Sequence, residues 1–186
     1  MVYLSDLWLP ILISAVLVFA ASSVMHMFLT YHRSDYQKLP NEEKLMEAMR
    51  KEGVPPGNYI FPCPASPRDM SSPEMVEKYK KGPVGMINVL SPGPPMMPKH
   101  LASWFSFCLV VSLTAAYLAG RTLSGGEEYL TVFRVSGTAA FLGYALGNIP
   151  SSIWRGQLWG TTFKHVLDGL VYALLTAGVF GWLWPQ

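Results

Sequence analysis

Cysteine is nearly missing from the chain, with Cys63 and Cys108 the only two in 186 residues. Two isolated thiols make no CxxC pair and no disulfide framework. Cys63 stands in a polar stretch and Cys108 in an apolar one, so they are read as unpaired, Cys108 as a small buried hydrophobe. Charge is scarce as well: 14% of residues are charged, and 14 Lys and Arg against 12 Asp and Glu leave a net charge of +2. That surplus is too small for a nucleic-acid partner, and no basic stripe with interleaved aromatics occurs. Catalytic signatures are lacking too, since there is no GxSxG, HExxH, Walker loop, GxGxxG or CxxCH. Ser103, His100 and Asp168 can be gathered into a nominal triad, but no spacing ties them together. The chain reads as non-catalytic, and no motif implies a resident cofactor.

What the chain has instead is apolar sequence: 51% of it is hydrophobic and the mean hydropathy is +0.26. The average hides a sharp partition. Charges concentrate between His32 and Lys99, while the rest divides into four apolar runs, Leu7 to Tyr31, Leu101 to Arg121 (101–121), Leu130 to Asn148 (130–148) and Val166 to Trp184 (166–184). Each is close to the 20 or so residues needed to cross a hydrocarbon core of about 30 Å. The expected class is all-α: a polytopic membrane protein with four transmembrane helices. The expected divisions are a first transmembrane helix in 1–32, a Pro-rich cytoplasmic segment in 33–99, and a three-helix transmembrane part in 100–186. The first run lacks the basic n-region of a secretory signal, carries Asp6, and exceeds the usual h-region, which predicts an uncleaved helix.

Orientation follows from Lys and Arg. All but Arg121 and Arg134 lie in residues 32–100 or 149–165, with Arg33, Lys38, Lys99, Arg155 and Lys164 nearest the membrane. By the positive-inside rule that side is cytoplasmic and both termini are periplasmic. The six tryptophans divide as an aromatic belt predicts, with Trp8, Trp182 and Trp184 outside and Trp104, Trp154 and Trp159 inside.

Within 33–99, Pro40-Asn41 opens one short helix, which Gly53 ends ahead of Pro55-Pro56. Glu47 and Lys51 are spaced as an i, i+4 pair. Ser71, Ser72, Pro73 and Glu74 open a second helix, closed by Gly82-Pro83. Leu45, Met46 and Met49, and Met75, Val76 and Tyr79, give these helices apolar sides suited to a membrane surface. The stretches GVPPGNYIFPCPASP and GPVGMINVLSPGPPMMP hold too many prolines for regular structure and read as extended chain.

Small residues mark the helix-packing faces. Gly169, Ala173, Ala177 and Gly181 recur every fourth residue, Gly143 and Gly147 form GxxxG, and Ala116 and Gly120 repeat the spacing. Such faces let helix backbones approach closely. They exceed what four short helices need among themselves, which points to an accessory, assembly or scaffold subunit partnered by other membrane protein subunits or by itself.

Charged groups near the boundaries read structurally. Arg134 snorkels or pairs with Glu127 or Glu128, and Asp168 pairs with Lys164 at i, i+4. Ser14, Ser22 and His26 share one inward face of the first helix. The histidines are the most suggestive feature. His26, His32, His100 and His165 all fall near the cytoplasmic boundary, two of them flanked by methionine in MHM and MMPKH. Imidazole and thioether suit copper or haem iron, so the alternative is a haem- or copper-binding membrane redox component with His26 as the leading ligand. A third reading, a small-molecule transporter, uses His26 with Tyr144 and Asn148.

The stretch FLGYALGNIPSSIWRGQLWGTTFKHVLDGLVYALLTAGVFGWLWP, the last third of the chain, resembles small bacterial four-helix integral membrane proteins built on a domain of unknown function. A Gly-rich third helix there runs through a Trp-containing turn into a fourth helix rich in small residues. The resemblance implies a multi-pass protein of a bacterial inner membrane and brings no activity with it.

Overall fold

A computed structural model describes residues 1–186, and they are mostly helical. The elements are α1 (Trp8–Met27), α2 (Glu42–Lys51), β1 (Gly57–Phe61), α3 (Pro73–Lys81), β2 (Gly85–Val89), α4 (Met97–Thr122), α5 (Tyr129–Tyr144), α6 (Ile149–Trp154) and α7 (Trp159–Trp182). Two compact units result, one of Met1–Asp35 with Met96–Gln186, the other of Tyr36–Pro95.

In the first unit, four helical segments are long and apolar enough to cross a membrane: Leu4–Met27, Met97–Thr122, Tyr129–Trp154 and Trp159–Trp182. They close a ring in which α1 packs on α4, α4 on α5, α5 on α7 and α7 back on α1. The small-residue face of α7 sets the α5–α7 seam. A Cβ at Gly169 would stand 2.7 Å from the Ala145 backbone, and one at Gly181 would stand 2.7 Å from the Tyr129 ring. Between them Ala173 and Ala177 are buried, and Ala177 lies 2.9 Å from where Gly137 would carry a Cβ. Gly143 meets Val111 of α4, and Ala116 is buried. Gly120 serves the N-terminal segment rather than a helix, with the Val2 carbonyl 2.6 Å from its would-be Cβ. Gly147 has nothing within 4 Å, so the Gly143/Gly147 pair does not act as one packing motif.

Several boundaries differ from expectation: α1 ends at Met27 rather than Tyr31, and α4 begins at Met97 rather than Leu101. The third helix breaks at Tyr144, where Asn148 donates from Nδ2 to the carbonyls of Tyr144 (3.0 Å) and Ala145 (3.2 Å), and Pro150 begins α6 after a 3-10 turn at Leu146–Asn148. Proline cannot donate to the preceding turn, so one continuous helix is disfavoured there. The fourth helix begins at Trp159 rather than Val166. Its first two turns are polar, and hydropathy does not register them.

Ser14 and Ser22 point inward as expected, but His26, read onto the same face, is exposed, its side chain 46% accessible. The Ser14 hydroxyl lies 3.0 Å from that of Ser112 on α4, and Ser22 accepts a 2.8 Å bond from Trp104 Nε1. Arg134 is exposed and forms no ion pair.

The second unit holds both expected helices. Ser72 caps α3 by accepting from the Met75 amide at 3.2 Å, and Glu74 pairs with Lys78 at 2.7 Å. Glu47 and Lys51 do not pair; Arg50 turns to Glu43 and Lys38 to Glu42. The stretches read as extended chain contain a strand pair. Strands β1 and β2 run antiparallel with Gly57 opposite Val89 and Phe61 opposite Gly85, so the molecule is not purely helical. Prolines flank these strands but do not interrupt them, which leaves every residue of both able to join the ladder.

Candidate metal centre

At the end of α1 the chain leaves the helix, makes a 3-10 turn at Tyr31–Ser34, and returns alongside the start of α7. That path gathers His26, His32, His165 and Asp168, with one ligand atom of each within 4.8 Å of all the others. Three of the four sequence-nominated histidines are therefore together. His100 is not among them and lies exposed in the first turn of α4.

The carboxylate was nominated for a different role. Asp168 does not pair with Lys164. It is 2% exposed, and its Oδ2 lies 2.8 Å from His32 Nε2 and 4.0 Å from His26 Nε2, while Oδ1 accepts a hydrogen bond from Tyr31. Lys164 turns instead to Asp35 Oδ1 at 2.7 Å, and it also donates to the Tyr31 carbonyl and the Ser34 hydroxyl. Asp35 Oδ2 lies 2.6 Å from His32 Nδ1. Both aspartates are thus nearly enclosed, with side chains 3–4% exposed.

Burial works against the charged form of Asp35, but the hydrogen bonds from Lys164 and His32 outweigh it and hold the carboxyl below its ordinary value. Tyr31 is pushed the other way, first by burial and then by its bond to the Asp168 carboxylate.

His32 carries the chemical tension of the site. A neutral imidazole has one N–H and one lone pair. With Nδ1 on Asp35 and Nε2 2.8 Å from Asp168, a neutral ring donates to only one of the two carboxylates. A second ring proton makes both contacts hydrogen bonds, and a metal ion at Nε2 would satisfy the Asp168 side instead. The donors suit an ion. His26 has its Nδ1 against the Ser22 carbonyl at 3.0 Å, which leaves Nε2 free. Each of these two imidazoles thus has its far nitrogen fixed by an oxygen acceptor, the second-shell arrangement that orients metal-bound histidine. With neutral imidazoles, Asp35 and Asp168 outweigh Lys164 by one negative charge, which attracts a cation. Three nitrogens and one carboxylate oxygen match zinc and its first-row neighbours. A tetrahedral ion with bonds near 2.0–2.1 Å separates its ligands by about 3.4 Å, so the donors would have to draw in from their present spacing of up to 4.8 Å and the stacked His26 and His32 rings would have to turn toward the ion.

A porphyrin fits less well. The His26 and His32 rings stack face to face, with centroids 4.4 Å apart and 14° between their planes, and His165 stacks next on His32 at 5.3 Å. Haem held by two histidines needs end-on imidazoles on opposite faces of a flat macrocycle. The thioether support for copper also weakens, because Met25 packs into the apolar core and Met27 is 75% exposed. The transporter residues are otherwise engaged: the buried Tyr144 hydroxyl donates to the Cys108 carbonyl, and Asn148 caps the end of α5.

Sequence reasoning missed Asp35, Tyr31 and the place of Asp168 among the clustered donor groups. One signal was present: His32 to Asp35 and His165 to Asp168 repeat the spacing HxxD, and residues three apart share a helical face. No protein-family model, curated protein or solved structure matches the chain. The likeness read in its last third accordingly rests on the sequence pattern alone.

Proposed function

We propose that this is a multi-pass membrane protein that binds one divalent first-row transition-metal ion, with zinc as the reference case. The ligands are His26 Nε2, His32 Nε2, a ring nitrogen of His165, and Asp168 Oδ2. The observation that carries the reading is His32, whose imidazole stands between two enclosed carboxylates with both nitrogens engaged. Four protein donors complete a tetrahedral shell and leave no open position, which is the mark of a structural rather than a catalytic site. The role is therefore non-catalytic, in keeping with the absence of catalytic motifs.

In this reading the apolar helices span a bacterial inner membrane, the positive-inside rule puts the metal-bearing end of the bundle in the cytoplasm, and both termini face the periplasm. A place in a larger membrane complex belongs to the same proposal. Most of the small-residue faces are filled within the bundle, which leaves little of them for a partner helix. Native mass spectrometry of gently extracted protein reads bound ions, haem and partner subunits together. The expected result is one zinc-class ion per chain in the wild type and none in His32→Ala or Asp168→Asn. A metal-free wild type after zinc loading overturns the metal reading, and a haem mass replaces the ion with the alternative cofactor.

A further inference from the structure

We infer that the bound ion acts as a latch on the short joint Tyr31–Asp35, so that metal occupancy sets whether this joint is fixed to α7 or free. The inference rests on the metal-binding reading above and assigns the site a regulatory consequence.

The joint has no hydrophobic anchor. None of the residues of the Tyr31–Ser34 turn is buried, and the preceding Phe28 and Leu29 are 73% and 47% exposed. Its side-chain attachments to α7 are polar and converge on few residues. Asp168 takes the His32 ring at 2.8 Å and the Tyr31 hydroxyl. Lys164 holds the Tyr31 carbonyl at 2.6 Å and the Ser34 hydroxyl and Asp35 carboxylate at 2.7 Å each, and Thr161 adds a 3.4 Å bond to Asp35. Hydrogen bonds to charged groups contribute more than neutral ones, but all of these tie the joint to α7 alone. At the centre of the array is the His32 ring, held between Asp35 and Asp168. Without a metal ion, its contact with Asp168 is one more bond between the joint and α7 alone. With one, the same atoms become ligands of a common ion, along with His26 from α1 and His165 from α7. The ion then ties the end of the first helix, the joint and the start of the last helix at one point.

A ligand that binds only the latched state raises the ratio of latched to open states by a factor of 1 + [L]/Kd. Free zinc at ten times its Kd therefore slows opening-dependent exchange by about elevenfold.

The test is hydrogen–deuterium exchange of the full chain in detergent, stripped with chelator and then returned to zinc, with magnesium as the control ion. The Arg33 and Asp35 amides, which bond to the Thr30 and His32 carbonyls at 3.0 Å, report on the joint. The expected result is about tenfold slower exchange in the peptide spanning 28–36 with zinc, no change with magnesium, and no change in a peptide from the middle of α4. His165→Ala should abolish the zinc effect. Should that variant misfold, the stripped and reloaded wild type decides alone. Zinc bound stoichiometrically with unaltered exchange at 28–36 overturns the latch and leaves the metal site standing. Protection spread evenly over the bundle overturns it equally, since that is general stabilisation. Failure to bind zinc removes both.

Discussion

Replacing Asp35 with Asn isolates the part of the site that touches no ion. The Asp35 side chain is 3% exposed, and its two oxygens divide their work: Oδ2 lies 2.6 Å from His32 Nδ1 and Oδ1 lies 2.7 Å from Lys164 Nζ. Asparagine keeps the shape and can still accept one of those bonds, but it loses the charge that makes His32 a stronger donor to the metal and that neutralises Lys164. Loss of such an outer partner ordinarily lowers metal affinity 10- to 100-fold, or about 1.4–2.7 kcal/mol. The deprived Lys164 keeps its bonds to the Tyr31 carbonyl and Ser34, so the expected loss lies within that range and the fold persists. Competition against a chromophoric zinc chelator measures it directly. Asp168→Asn, which removes a ligand, should weaken binding further than Asp35→Asn. Equal affinity of Asp35→Asn and wild type within twofold would refute the reasoning, because His32 would then owe nothing to its carboxylate.

The α5–α7 seam makes a second prediction. Gly169→Ala places a methyl 2.7 Å from the Ala145 backbone, and relief to ordinary contact requires the helices to part by about 1 Å, at a cost of about 1–3 kcal/mol. Gly147→Ala, with open space around it, should change stability by no more than about 0.5 kcal/mol. Thermal unfolding in one detergent compares the two, and equal midpoints would sink the assignment of Gly169 to the seam. The third concerns acid. Because the folded Asp35 carboxyl is held below its ordinary value, its stabilising effect is complete above about pH 4, where the unfolded group ionises, and disappears as pH falls through the lower folded value. In chelator-treated protein the stability difference between wild type and Asp35→Asn should therefore shrink as the pH falls below about 4. A difference that grows below about pH 4 would contradict the sign.

Much of the fold was legible because it depends on local chemistry. Ser72 with Pro73 fixes the start of α3, and the four apolar runs are too long to be anything but helices. The strands β1 and β2 escaped notice because five-residue segments next to prolines show no clear alternation. Their pairing joins residues 57 and 89, a relation that no local window contains. The site was half legible. His26, His32 and His165 stood out by type, whereas Asp168 was assigned to Lys164 by helical spacing, a rule that cannot foresee a better partner arriving from another segment. Asp35 lies just beyond the first apolar run, in sequence with no helical period to place it. Its significance depends on the turn that returns it to α7.

The closed ring of helices has a consequence for biogenesis. α5, α6 and α7 are near neighbours in sequence and can pair as soon as they are made, while α1 is separated from α4 by the whole of residues 28–96. α1 is synthesised first, yet its place between α4 and α7 does not exist until the last helix has been made. Its docking is the long-range, slow step of assembly. Since His26 and His32 come from the α1 side and His165 and Asp168 from α7, the donor set is completed only by that docking. In the metal-binding reading proposed above, ion capture marks the moment at which a newly made chain has become a finished bundle, and a quality-control protease would meet the joint unprotected only in chains that have not reached it.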